Sequence, residues 1–247
     1  MVLTLLPSLL FGQRIAGQGN TFSSDQNFIN PSNGMANVGG TEVSMQRNLY
    51  EGVKGNPMVC KDFVKGFIVT KDTFNTVDNG YTYNFDIYKQ ELYIRAPDGK
   101  IKIPFNNQIR GFQLIDSGFA HNFKKAKVPN DNGSKFYEII FETPLYSLLK
   151  LWIRKFVPAN AVDRGPVVSG RQYDEFEEDE TYFFRIDDGV YKELKKLTKS
   201  NFIELLPSQE KNIETYWKTN KLSKKITPAA ANAFLKALEK ESITGKK

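Results

Sequence analysis

Apolar residues recur at every second position from Tyr81 to Ile103, a period that predicts antiparallel β-structure rather than helix. Tyr81, Tyr83, Phe85 and Ile87 share one face of a strand; Thr82, Asn84, Asp86 and Tyr88 share the other. Leu92 and Ile94 then oppose Tyr93 and Arg95. Ala96-Pro97-Asp98-Gly99 is a turn, because proline presets φ and glycine supplies a positive φ. The return strand, Lys100 to Pro104, is expected to bury Ile101 and Ile103. One-sided alternation predicts a sheet with one wet face, which the rest of the chain extends or covers.

The same period predicts strands over 65–70, 109–115, 135–141 and 181–186, the last returning through Asp187-Asp188-Gly189 to 190–194. Residues 145–157, LYSLLKLWIRKFV, fit either period; strand is preferred because a strand and a short turn precede them. The stretch 118–127, with His121, reads as a loop or irregular edge. Asn130 to Gly133 reads as a turn, 158–170 as a loop, and the acidic run Tyr173 to Glu180 as a solvated loop.

Beyond 200 the period becomes helical. Asn201 to Leu206 forms a short turn ended by Pro207. Ser208 is placed to cap a helix running to about Thr219. Thr227-Pro228 opens the last helix, with Ala230, Ala233, Phe234, Ala237 and Leu238 as its apolar stripe. The expected fold is α+β, mainly antiparallel β, sandwich-like or barrel-like, with a C-terminal helical pair. Its predicted divisions are a signal peptide at 1–13, a flexible arm at 14–46, a β domain at 47–197 and packed helices at 198–247.

Val2 to Phe11 is a nearly unbroken apolar run, followed by Gly12-Gln13. That length suits a signal-peptide core and is too short to span a bilayer, so export to the periplasm or beyond is expected. Composition adds an aromatic surplus, 19 Phe and 11 Tyr, which favours pleated surfaces. The net charge of +6 is uneven, because the chain from Gly189 onward holds 13 Lys and no Arg against 6 Glu. Without Arg or interleaved aromatics, this tail reads as a solvated helical surface, and no nucleic-acid partner is expected. No apolar run long enough for a transmembrane segment is present elsewhere.

Candidate chemistry is sparse. One His and one Cys in the chain leave zinc ligation without donors, and no phosphate-cradling glycine loop appears, so no cofactor is expected. His121 has no nucleophile signature around it, and Cys60 reads as a small buried hydrophobe. Carboxylates are the remaining catalytic stock, but Asp174 to Glu180 is contiguous, whereas a glycosidase pair comes from separate elements. Tyr88, Tyr93 and Trp152 are the candidate binding surface, apolar or sugar-stacking, set against a plain packing role.

Leu49-Tyr50-Glu51-Gly52-Val53-Lys54-Gly55-Asn56-Pro57, then Phe85-Asp86-Ile87-Tyr88 with Glu91-Leu92, then Lys135-Phe136-Tyr137-Glu138 form a spaced pattern. Leu205-Leu206-Pro207 and the Lys218 to Leu222 link continue it. From about Asn37 onward the chain resembles a set of uncharacterised exported proteins of Bacteroidota. The resemblance implies an exported β-rich protein with a helical C-terminus, and no activity. The alanine-rich end, Thr227 to Leu238, departs from it. Together these readings point to a non-enzymatic structural or binding protein of the cell envelope, its partner another envelope protein or a glycan. The alternatives are a carboxylate-based glycan hydrolase or a carrier of lipid or another small ligand.

Overall fold

A computed structural model describes residues 28–29, 40–43, 50–70, 74–75, 80–163 and 168–244. The proposed signal peptide lies outside the described residues. In chain order the strands are β1 (Phe28–Ile29), β2 (Gly40–Val43), β3 (Lys65–Thr70), β4 (Phe74–Asn75) and β5 (Thr82–Asp86). Next come β6 (Glu91–Arg95), β7 (Ile101–Pro104), β8 (Ile109–Asp116), β9 (Phe119–Val128) and β10 (Asp131–Glu142). The last are β11 (Tyr146–Val157), β12 (Val162–Asp163), β13 (Val168–Ser169), β14 (Glu175–Ile186) and β15 (Lys192–Leu194). Three helices end the chain: α1 (Lys199–Leu205), α2 (Glu210–Thr219) and α3 (Pro228–Thr244).

A nine-stranded sheet runs β1-β4-β3-β8-β9-β10-β11-β14-β15, and a four-stranded sheet runs β2-β7-β6-β5. Pairing is antiparallel throughout these sheets except between β1 and β4. The fold is thus α+β and mainly antiparallel, as the alternation predicts, and the large sheet does not close into a barrel. Residues 81–103 form most of the smaller sheet, not the centre of the larger one. Gly40–Val43, which the sequence assigns to the arm, pairs residue for residue with β7.

The larger sheet's inner face carries two apolar covers. The small sheet packs at one end, where Phe85, Phe112, Phe123 and Phe136 interlock with ring centroids 4.7–5.7 Å apart. The helices pack at the other, where Phe202, Trp217 and Phe234 close over Tyr146, Leu148 and Phe184. The opposite face buries Tyr137, Ile139, Leu149, Leu151 and Phe183.

Several expectations are corrected. The second face of β5 is not wet: Asn84 and Asp86 are buried, because residues 57–64 run along the open edge of β5 and fold over it. Asn84 satisfies Cys60 N–H, Cys60 C=O and Asp62 C=O, and Asp86 accepts from the Tyr50 hydroxyl at 2.5 Å. Ile101 is buried as expected, while Ile103 is only half-buried. The stretch around His121 is an interior strand, β9, paired on both sides. The acidic run forms the first half of β14; its charges face Arg154 and Lys155 on the neighbouring β11, whose opposite sign stabilises a strand there. Residues 145–157 form strand β11.

Among the helices, Thr198 caps α1 through its side chain, accepting from Asn201 N–H. Ser208 caps nothing; it lies in a 3₁₀ turn, Pro207–Gln209, ahead of α2. Thr227 Oγ1 accepts from Ala230 N–H at the start of α3. That helix is rotated from the predicted stripe: Ala231, Phe234, Leu235 and Leu238 are buried and Ala233 is exposed.

Candidate functional site

Between the two apolar covers the inner face of the large sheet turns polar. On β10, Phe136 belongs to the small-sheet core and Phe141 to the helical core, with Glu138 between them. On β11, Leu148 joins the helical core and Trp152 packs toward the small sheet, with Lys150 between. Both ionisable groups are buried, Glu138 at 8% exposure and Lys150 at 6%. Burying a charge is costly unless it is paired, and here each is.

The pairing runs across four strands. His121 Nδ1 on β9 lies 2.6 Å from Glu138 Oε1, and Trp152 Nε1–H donates to Glu138 Oε2 at 2.7 Å. The Lys150 ammonium sits 3.6 Å from the centre of the Trp152 ring and 2.7 Å from Glu180 Oε2 on β14. Lys225, from the link before α3, reaches Glu180 Oε1 at 3.4 Å. The hydrogen bond to Glu138 raises the His121 pKa above the ordinary histidine range, and burial opposes it without prevailing. Burial alone would raise Glu180; the close Lys150 ammonium and the charge of Lys225 hold it below the usual carboxylate range. The Tyr182 hydroxyl is pushed upward by burial and by Glu180 beside it.

A cleft of about 640 Å³ opens at the His121 end of this seam, walled by Phe119, Ile140 and Glu138 from the sheet and by Asn232, Lys236 and Glu239 from α3. Its volume suits a small molecule. Among the described residues no serine, threonine or cysteine is hydrogen-bonded to the His121 ring, whose side-chain partner is Glu138. Cys60 is buried and does not line this cleft, and burial pushes its thiol up to about 12, which keeps it protonated. Among the described residues no group of acidic, His and Cys side chains is arranged to hold a metal ion.

The three aromatics selected from sequence do not form one surface. Tyr93 is buried at 4% exposure, its hydroxyl 3.3 Å from Glu91, so it is a packing residue. Trp152 is half-buried and belongs to the polar seam. Tyr88, in the turn between β5 and β6, is exposed at 47% and joins a different group. Its ring lies 5.3 Å from Phe176 and 6.5 Å from Phe156, and Phe156 and Phe176 are 5.6 Å apart. Tyr50 closes the group edge-on to Phe176 at 5.1 Å. Beside it Lys54, Tyr173, Arg171, Glu175 and Glu177 form a network of ion pairs and hydrogen bonds, and because Glu175 and Glu177 alternate with Phe176 along β14 their side chains lie on the other face of the strand.

Two separated segments meet at this patch. Lys54 C=O accepts from Phe176 N–H, which holds the Tyr50 to Gly55 turn against β14. Gly55 holds a left-handed backbone at φ +88 that other residues rarely adopt, and a Cβ there would sit tightly, 3.1 Å from the Phe176 carbonyl oxygen. Sequence reasoning passed over Phe156, Phe176, Glu138 and Lys150. The available signal was a charged residue interrupting an apolar strand, as Glu138 does in FYEIIF and Lys150 does in SLLKLWI. Comparison with known proteins finds no family model, no curated protein and no solved structure similar to this chain.

Proposed function

We propose that this chain is an exported, non-enzymatic protein of the cell envelope that binds a glycan through Tyr88 and Phe156, the exposed rings of the aromatic patch, with buried Phe176 supporting them from beneath. It would stand with the exported Bacteroidota proteins that it resembles. One contrast supports binding over chemistry. Both oxygens of Glu138 are engaged, Glu180 is held by two lysines and Glu142 by Lys124, whereas the Tyr88 and Phe156 rings are open. Exposed rings set at an angle to one another suit the apolar face of a sugar. Aromatic anchors of this kind carry most of a binding energy.

Titration calorimetry with soluble peptidoglycan fragments and with surface polysaccharide tests the reading. Tyr88→Ala and Phe156→Ala should each weaken binding by about tenfold or more. Equal affinity in both variants would overturn the assignment of the patch. Release of new reducing ends from the same glycans, lost in Glu138→Gln, would favour the hydrolase alternative.

A further inference from the structure

A second cavity lies on the opposite face of the large sheet, away from the patch and the seam. It holds about 570 Å³ and lies between the β9–β10 turn and the β14–β15 turn. Its walls include Lys124, Lys125, Lys127 and Arg185, with Asp131 as the sole carboxylate. Asp131 is fully engaged. It accepts from Ser134 N–H, the Ser134 hydroxyl, Lys135 N–H and the Tyr137 hydroxyl at 2.5–3.2 Å. Among the cations, Lys124 is paired with Glu142, and Lys125 donates to the Asn106 carbonyl. Arg185 differs: its guanidinium lies 5.1 Å from the centre of the Tyr191 ring, and its Nε–H is buried with no hydrogen-bond partner. A buried guanidinium donor without an acceptor is rare in native proteins and asks for an ion or water in that place. The planar guanidinium fork matches an oxyanion, and its stacking on Tyr191 fixes its direction. Cations outnumber carboxylates on the cavity's walls, which favours anionic ligands.

We propose that this cavity is an anion site for a phosphate group, with Arg185 as its principal donor and Lys127 at its mouth. The phosphate could be free or part of a lipid headgroup; Val190, 80% exposed on the cavity wall, would meet the apolar boundary in the second case.

Titrating inorganic phosphate into the full chain at low ionic strength, followed by amide NMR, tests this. Saturable shifts are expected at Asn132, Gly189 and Tyr191. Arg185→Gln should weaken them about tenfold, and Lys127→Gln, at an exposed position that folding does not need, should weaken them several-fold. Lys218→Gln, at an exposed position of α2 among the helices that cover the other face of the sheet, should change nothing. Cosedimentation with phosphatidylglycerol vesicles, set against phosphatidylcholine vesicles, separates the sources. Capture by the anionic vesicles that Arg185→Gln abolishes assigns the site to a headgroup; phosphate binding without capture assigns it to a free ligand. If neither probe saturates the wild-type chain, or if both variants bind as it does, the proposal fails.

Discussion

The two ends of the large sheet's inner face are covered in different ways, and the difference concerns how a fold fixes its register. Under the small sheet the core is aromatic, yet it is framed by buried polar groups: Asn84 holds the Cys60 turn and Asp86 holds Tyr50. Under the helices the core is equally aromatic, with Phe202, Trp217 and Phe234 at mutual centroid distances of 4.9–6.0 Å. The Asn232 side chain of α3 donates to the Ile140 carbonyl of β10, but it is only half-buried, whereas Asn84 and Asp86 are buried. A strand that slips by one residue turns every side chain to the wrong face, and apolar burial alone penalises the slip weakly when both faces are covered. A buried amide and carboxylate with fixed partners penalise it strongly. A helix has no such slip to guard against; its rotation is set by the shape of interlocking rings, with the Asn232 bond to β10 as the one half-buried amide tie on α3 among the described residues.

The largest test removes a ring from each cover. Phe85→Ala and Phe234→Ala should each cost about 3–5 kcal/mol, read from urea unfolding. The contrast predicts different consequences for hydrogen exchange. After Phe234→Ala, protection should fall over 199–244 while β5 and β6 keep theirs. After Phe85→Ala it should fall across both sheets, because that core joins strands distant in sequence. Uniform loss in both variants would mean that the two covers form one cooperative unit.

A smaller effect bears on the polar frame itself. Tyr50→Phe leaves Asp86 Oδ2 without its hydroxyl donor, while Oδ1 keeps Lys89 N–H. The expected loss is about 1–3 kcal/mol, seen as a lower urea midpoint at unchanged slope. A midpoint equal to that of the wild type would show that the frame is incidental to the strand-covered end.

How much of this was legible in the sequence follows the same division. Alternation located β5 to β8, β11 and the β14–β15 hairpin, because each is apolar on at least one flank. It missed β9, where FAHNFKKAKV has polar or cationic residues on both flanks. It read Glu175 to Glu180 as a loop, since the cations that make it a strand lie about twenty-five residues away on β11. Asn84 and Asp86 looked solvated because their partners stand 22–36 residues earlier. In α3 alanine occurs on every flank, so the stripe could be read a position away from the true one. Tyr88 was legible as an exposed aromatic. The seam was not, because its members come from separate strands that only tertiary pairing brings together.

At the helix-covered end the corresponding local test is the cap of α1. Thr198→Ala removes the acceptor for Asn201 N–H and should cost about 1 kcal/mol. Circular dichroism during thermal melting would show a lower Tm. An effect as large as that of Tyr50→Phe would blur the distinction between a cover tied by polar anchors and one seated by shape.

The smallest expected effect lies on the seam where the two covers meet. The chain has a single histidine, so its imidazole resonance can be followed without ambiguity. The groups facing His121 are Glu138 on β10, Asp116 on β8 and Lys150 on β11, with Lys236 and Glu239 of α3 in the same cleft. The Glu138 hydrogen bond raises its folded pKa above the unfolded value of about 6.5. In the window between those two values the native state binds more protons than the unfolded state, so stability falls as pH rises. The contribution is complete below the unfolded pKa and gone once pH has passed the folded one. Urea midpoints measured from about pH 5 to pH 9 should therefore decline in the wild type through that window. Glu138→Gln should flatten the decline, while Trp152→Phe, which leaves the His121–Glu138 pair in place, should keep it. A histidine titrating at or below its ordinary value would remove the electrostatic link across the seam, and the two covers would then meet there through packing alone.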